Sequence, residues 1–431
     1  MRDFLPEDVR RREYVIGIIK RVYERYGFEP LETPAAENLE TLMGKYGEEG
    51  NQLIFKILKR GEHEASGQAD LALRYDLTVP LARVIAHHQA TLPRLFRRYQ
   101  IQPVWRADRP ARGRFREFYQ CDVDALGSTS PVVDAEVCAA VSDALTGLGF
   151  ADFTIRINHR QLLTSVLKHA GIPDELHGTA LVAVDKLDKI GREGVASEMA
   201  ARGIEAASTT RLLEAFKALS EPGGIRSVPL DGAGNRAVDN IEAILDLLNA
   251  TDAGRRMRID PSLARGLSYY TGAIFEINVP DLAGSLGGGG RYDNLVGMFL
   301  GQNVPACGFS LGLERILVVM GERNMFPPSL ATSPADVMVA VFEPAGMPHA
   351  LRLAQSLRAS GLRVMVYPDA DKIGKQIKYA DTQRIPFVAI LGDSEIASGT
   401  VTVKNLTTQT QTTYDQAAAG AAILEGLTHR G

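Results

Sequence analysis

"RADRPARGRFREFYQCDVD" (Arg106–Asp124) is the stretch on which the fold turns. Arg106, Arg109, Arg112, Arg114 and Arg116 crowd its first half. The pattern predicts two strands, Gln100–Ala107 and Phe115–Ala125, joined by a basic loop. Successive side chains of a strand point to opposite faces. Counting back from Asp124 therefore places Asp122, Gln120, Phe118 and Arg116 on one face. Two carboxylates, an amide, a ring and a guanidinium make a poor hydrophobic surface. Two readings stand: a solvated edge hairpin, or the wall of a polar pocket. Arginine matches phosphate and carboxylate oxygens two at a time, so the cluster suits an anionic ligand such as a nucleotide.

The rest of the chain sets the class. With 431 residues it is too long for one compact domain, and two or three are expected. Apolar residues make up 45%, ordinary for a globular enzyme. A net charge of −4 argues against a polybasic nucleic-acid coat, though a local basic patch would still serve RNA. Cys121, Cys138 and Cys307 stand far apart, which disfavours a disulfide framework or a structural zinc site and fits a reducing cytosol. The start, "MRDFLPEDVRRREY", has no apolar signal core, and no apolar run approaches the roughly 18–20 residues of a membrane helix. A soluble cytoplasmic protein without a membrane segment is expected.

Val9 to Tyr26 reads as an amphipathic helix, with Val15, Ile18, Ile19 and Val22 at helical spacing. "DLALRYDLTVPLARVIAHH" starts as a strand and becomes a helix after Pro80. Residues 131–148 form a helix and Phe153–Ile157 a strand. Between about 160 and 255 the chain is mostly helical and carries no chemical motif. Strand-like sequence returns at 268–279, and "GFSLGLERILVVM" reads as strand into helix. Residues 326–334 are a linker by composition, between a core at 1–325 and a separate domain at 335–431. That domain alternates strands and helices, which predicts an α/β unit with a largely parallel sheet.

Four further stretches bear on chemistry. In "LRYDLTVP", Asp76 and Thr78 share a strand face, where a carboxylate and a hydroxyl hold an ammonium group; a plain Asp/Thr turn is the alternative. "GGGGRYDNL" (287–295) permits close backbone approach, but it is no Walker loop and reads equally as a hairpin turn. Arg315, in the first turn of a helix after Gly312, works against the helix dipole and so favours an anionic or π-rich partner. In "RGLSYYTG" (265–272), Arg265 and Tyr270 have opposite strand parity; they face one ligand only if the chain bends at Gly266.

Taken in order, "LRYDLTVP", "RADRPARGRFREFYQCDVD", "RGLSYYTGAIFE", "GGGGRYDNLVGMF" and "GFSLGLERIL" resemble the histidyl-tRNA synthetases. "KIGKQIKYAD" and "GTVTVKNL" look like that family's C-terminal domain, so the resemblance spans nearly the whole chain. "REFYQCDVD" and "RGLxYYTG" are its most specific parts.

The resemblance implies an α+β class II synthetase core, an antiparallel sheet flanked by helices, with a helical insertion at about 160–255 that meets the tRNA acceptor arm. It also implies a C-terminal anticodon-binding domain and a homodimer. The reaction it implies joins L-histidine to ATP and then to tRNA(His), with Mg²⁺ bound mainly through the ATP phosphates and no dedicated metal cage. Arg265 and Arg106 are then the catalytic cations. Arg106, Asp108, Arg114, Phe118 and Arg315 bind ATP, Phe118 and Arg315 on the two faces of adenine. Asp76, Thr78 and Gln120 take the substrate ammonium, and Asp124, Tyr269 and Tyr270 complete the histidine site, Asp124 accepting from one ring N–H. Arg109 and Arg112 meet tRNA beside the core. Lys372, Lys375 and Lys378, at helical spacing, do so in the C-terminal domain, unless they form only a solvated helix face. A pocket of paired polar groups should reject apolar amino acids by roughly 10⁴, so no editing domain is expected.

The sequence departs from the family at Ser268, where Asp is usual, and at Asp108 and Asp124, where other members carry Glu. Ser268 is expected to be tolerated. A regulatory paralogue, such as the regulatory subunit of ATP phosphoribosyltransferase, shares this core but lacks the C-terminal domain and parts of the motifs. Class II synthetases for proline, threonine or glycine share the general plan without "RGLxYYTG" and "YQCDVD".

Overall fold

The computed structural model describes residues 1–61, 66–264, 269–330 and 333–428, and leaves aside the side chains of residues 48, 49, 188, 189 and 329. Arg265, Gly266 and Ser268 therefore lie outside the described residues. The chain divides into two units, Met1–Phe326 and Pro327–Gly431.

In the first unit the strands are β1 (Glu29–Pro30), β2 (Ala36–Asn38), β3 (Lys56–Leu58), β4 (Ala69–Leu73), β5 (Phe96–Trp105), β6 (Glu117–Leu126), β7 (Thr154–His159), β8 (Met257–Ile259), β9 (Ala273–Asn278), β10 (Gly287–Arg291) and β11 (Ala306–Gly312). Among the described residues they form an eight-stranded sheet, ordered β1-β5-β6-β11-β10-β9-β7-β8, and a small sheet β2-β4-β3. The six inner strands of the large sheet run antiparallel to their neighbours, and a parallel pair closes each edge.

The β5–β6 hairpin runs in unbroken register from Phe96 opposite Leu126 to Trp105 opposite Glu117. It is thus offset from the predicted ranges, β5 starting and ending earlier than Gln100–Ala107. Alternation does the sorting on β6. Cys121 and Val123 are fully buried in the main core, while Gln120, Asp122 and Asp124 occupy the other face, also buried. The helices Pro6–Arg25 and Pro131–Gly147 pack together in that core, and the helix Leu313–Glu322 packs on β6. Ser130 caps the Pro131 helix by accepting from Val132 N, with Pro131 in the first turn, where its missing N–H costs nothing.

The glycine run is a strand and not the hairpin turn that glycine propensity favours. β10 is paired on both sides, with β9 and β11. A β-carbon at Gly289 would strike the carbonyl of Gly308, so the close approach of β11 requires glycine there. The expected strand through Asp76 and Thr78 also differs: β4 ends at Leu73, and Thr78 opens the helix Thr78–His88, with Pro80 in its first turn. Between residues 160 and 255 the chain is helical, with Arg160–His169, Ala206–Ser220 and Gly232–Leu248 packed together.

The second unit holds β12 (Val337–Val341), β13 (Val364–Val366), β14 (Phe387–Leu391), β15 (Thr400–Asn405) and β16 (Gln411–Asp415), ordered β13-β12-β14-β15-β16. Among the described residues only β12 with β13 and with β14 are parallel pairs; β14 with β15 and β15 with β16 run antiparallel, so the sheet is mixed and not largely parallel. Among the described residues no helix is long and apolar enough to cross a membrane.

Candidate active site

A cavity of about 290 Å³ opens on the polar face of β6. Phe118, Gln120, Asp122 and Asp124 line it from β6, Gly287–Gly289 from β10, and Gly308, Ser310 and Gly312 from β11. Asp76, Thr78, Tyr269 and Tyr270 form one wall, and Arg106, Asp108, Arg114, Phe115 and Arg315 complete the lining. Of the two readings of Arg106–Asp124, the pocket wall is the one the fold adopts. Asp76 and Thr78 do meet in one cavity, but through a loop and a helix start and not through strand parity.

At the arginine end, Arg106 Nε donates to the Tyr75 carbonyl at 2.9 Å, and its guanidinium lies 4.2 Å from the Tyr75 ring centre and 5.2 Å from that of Phe118. This brace sets Arg106 and leaves Nη1 and Nη2 without a hydrogen bond among the described residues. Arg315 donates to the Ser285 carbonyl. Gly113, in the left-handed region at φ 68°, lets the basic loop pass close over the Arg315 side chain. Glu314 accepts from Tyr119 N at 2.9 Å, while its Oε1 is buried without a hydrogen bond. Burial pushes its carboxyl up to about 7.

At the other end, Asp76 is 1% exposed. Its Oδ1 accepts from the Tyr46 hydroxyl at 3.0 Å and from Val79 N at 3.0 Å, and its Oδ2 from the Tyr269 hydroxyl at 3.2 Å. Burial raises its pKa, opposed by these donors and by Arg106. Gln120 Nε2 donates to Ser310 Oγ at 2.7 Å, and its Oε1 is buried without a partner. Asp124 accepts from the Tyr292 hydroxyl and pairs with Arg98, whose Nη2 lies 2.8 Å from Oδ2. The same Nη2 is 3.8 Å from Asp122. Burial raises both carboxyls, and Arg98 restrains the rise. Gly308 stands opposite Asp124, and a β-carbon there would overlap Asp124 Oδ1.

The remaining predicted residues fall as follows. Arg109 is exposed on the basic loop. Arg112 is already engaged by Glu322 and by the Asp281 carbonyl. Lys372, just before the helix Ile373–Thr382, and Lys375 and Lys378 within it are all exposed, but Lys375 is paired with Asp371. Arg98, Tyr46, Tyr292, Ser310 and Glu314 were not foreseen. A signal for Arg98 exists in "RRYQIQ", where Arg98, Gln100 and Gln102 alternate, but its partner follows only from the register that sets Arg98 opposite Asp124. Among the described residues no three His, Cys, Asp or Glu side chains could hold a metal ion.

Residues 1–316 match the histidyl-tRNA synthetase family model, and residues 336–425 match the anticodon binding domain model. The histidine–tRNA ligase of Gloeobacter violaceus is 42% identical over 453 residues, covering 98% of this chain and 97% of that protein. That of Cytophaga hutchinsonii is 40% identical, covering 96% of each chain. The crystal structure of histidyl-tRNA synthetase from Nostoc superposes with a TM-score of 0.78 at 33% identity, covering 98% of this chain and 97% of that one. The antiparallel sheet under an arginine-rimmed pocket is the fold of a class II aminoacyl-tRNA synthetase, a ligase. Within that class the chain belongs to the histidyl-tRNA synthetase family.

Proposed function

We propose that this chain activates L-histidine with ATP and transfers the histidyl group to the 3′ end of tRNA(His). In the first step a carboxylate oxygen of histidine bonds to the α-phosphorus of ATP, and pyrophosphate leaves with the electron pair of the broken P–O bond. The nucleophile is already an anion, so no general base is required. The site must align two anionic reactants and stabilise charge at phosphorus.

Arg106, held by Tyr75 with two nitrogens unspent, is suited to the α-phosphate. Arg114 serves the outer phosphates, Asp108 the nucleotide beside it, and Phe118 and Arg315 hold adenine. Arg265 keeps the role its position in the motif implies. Glu314 Oε1, buried on the cavity wall without a hydrogen bond, is a protein donor that fits a Mg²⁺ ion carried on the phosphates. Bound there, the ion would neutralise phosphate charge. Asp76, Thr78 and Gln120 accept the ammonium group, with Tyr269 fixing Asp76. Tyr270 and the carboxylates at the far end face the imidazole.

tRNA meets Arg109 and Arg112 beside the core and Lys372, Lys375 and Lys378 in the second unit; these cations position the RNA without reading bases. Arg112 would first exchange Glu322 for phosphate. The working form is a cytoplasmic homodimer.

The observation that carries this reading is the polarity of one cavity: arginines at one end, buried acceptors without partners at the other. Pyrophosphate exchange measured with each amino acid in turn tests it. Exchange with histidine alone is expected. Exchange with another amino acid, or none, refutes it, and none would favour a regulatory protein.

A further inference from the structure

We propose that Arg2 and Phe4 are positioning residues for ATP: with Arg12 they build a stack of guanidinium groups and rings that seats the basic loop, and Arg114 with it, at the arginine end of the cavity. The inference rests on the reading above that this end holds ATP.

Five side chains from three parts of the first unit follow one another in this stack. The Arg2 guanidinium lies 4.5 Å from the ring centre of Phe4 and 4.3 Å from that of Phe115. Arg12, on the helix Pro6–Arg25, lies 4.8 Å from the Phe4 ring centre and 4.9 Å from that of Tyr119. Cations and rings therefore alternate from Phe115 through Arg2, Phe4 and Arg12 to Tyr119. The negative face of a ring attracts a guanidinium, and a guanidinium between two rings is attracted twice. Pro6 opens the helix directly after Leu5, so the helix start fixes where Phe4 leaves the chain.

Both ends of the stack belong to the hairpin. Tyr119 lies on β6, and Phe115 just ahead of it. Phe115 lines the cavity beside Arg114, its neighbour in the chain. Arg114 closes a tight turn, in which Ala111 and Arg114 exchange backbone hydrogen bonds at 3.1 and 2.9 Å. Arg112 fastens this turn to Glu322 on one side, and Phe115 fastens it to Arg2 on the other. An Arg112 that exchanges Glu322 for RNA gives up the first fastening. The stack on Phe115 then keeps Arg114 in place.

Charge alone is a rival cause. Burial raises the Glu314 carboxyl, and Arg2 and Arg12 oppose the rise. Phe4→Ala keeps both charges and removes the ring between them, so it reads the stack separately.

The test is histidine-dependent pyrophosphate exchange by the full chain carrying Arg2→Ala, Phe4→Ala, Phe4→Tyr, Phe115→Leu, or Arg2→Ala with Phe115→Leu. ATP affinity by calorimetry and thermal melts accompany it. Arg2→Ala and Phe4→Ala should each raise KM and Kd for ATP by roughly threefold to thirtyfold, with KM for histidine within about twofold and kcat within about threefold. Phe4→Tyr, which keeps a ring, should behave as the unmodified chain. Beside Phe115→Leu, Arg2→Ala should add less than about twofold, because the stack is already cut. If Phe4→Ala does not fold, Arg2→Ala, at an exposed position, supplies the comparison together with its Phe115→Leu partner. A rise in KM for ATP below about threefold in either folded alanine variant, an equal rise for histidine, or an undiminished effect of Arg2→Ala beside Phe115→Leu overturns the proposal. Absence of ATP binding or of exchange by the unmodified chain overturns the functional reading itself, a separate outcome.

Discussion

Arg98→Met removes a charge while nearly preserving length and volume. Arg98 is 0% exposed, and its Nη2 stands 2.8 Å from Asp124 and 3.8 Å from Asp122. Its Nη2 also donates to the Leu77 carbonyl at 3.3 Å, while its Nε and Nη1 are buried without hydrogen bonds. Breaking a buried pair from one side leaves an uncompensated ion and costs about 3–5 kcal/mol. Here one cation serves two carboxylates, which places the cost toward the upper end. The sign with pH follows from their shifts. Burial raises both carboxyl pKa values, and Arg98 opposes the rise. Without Arg98 both rise further. A carboxyl raised in the folded state binds more protons folded than unfolded, so stability falls as pH climbs from about 4 toward the folded value. The variant should therefore lose little at about pH 5 and the full amount at about pH 8. At about 2 °C per kcal/mol for a unit of this size, the first thermal transition should drop by roughly 6–10 °C at the higher pH. Circular dichroism melts at the two pH values measure it. A loss below about 1 kcal/mol at the higher pH, or equal losses at both, would refute the charge-pair account.

Gly308→Ala should cost about 1–3 kcal/mol and weaken histidine-dependent exchange, because the added carbon overlaps Asp124 Oδ1; unchanged melts and KM would contradict the close approach. Arg106→Lys should cut kcat for exchange by roughly a hundredfold with little change in melting, since an ammonium cannot reproduce the braced fork. Lys378→Ala should raise KM for tRNA in aminoacylation more than Lys375→Ala does, because Lys375 is paired with Asp371; neither should alter pyrophosphate exchange.

The face Phe118–Gln120–Asp122–Asp124 was legible because a strand repeats every two residues, so a polar series at that spacing shares one side whatever the strand pairs with. Arg315 was legible for a different reason, its place in the first turn of a helix against the dipole, and it lines the same cavity as Arg106 and Arg114 of the basic stretch. Sequence alone therefore determined that a strand hairpin carries a charged face, and which residue types meet there. Tertiary structure decided which groups each of them meets. Register set Arg98 against Asp124, a pairing that no local spacing encodes. β9 and β11 satisfied both edges of a glycine run and turned an apparent turn into a central strand. A loop and a helix start, not a strand, brought Asp76 and Thr78 to the cavity. Spacing along the chain fixes direction within one element, but partnership between elements depends on hydrogen-bond register and packing, which exist only once the sheet is assembled.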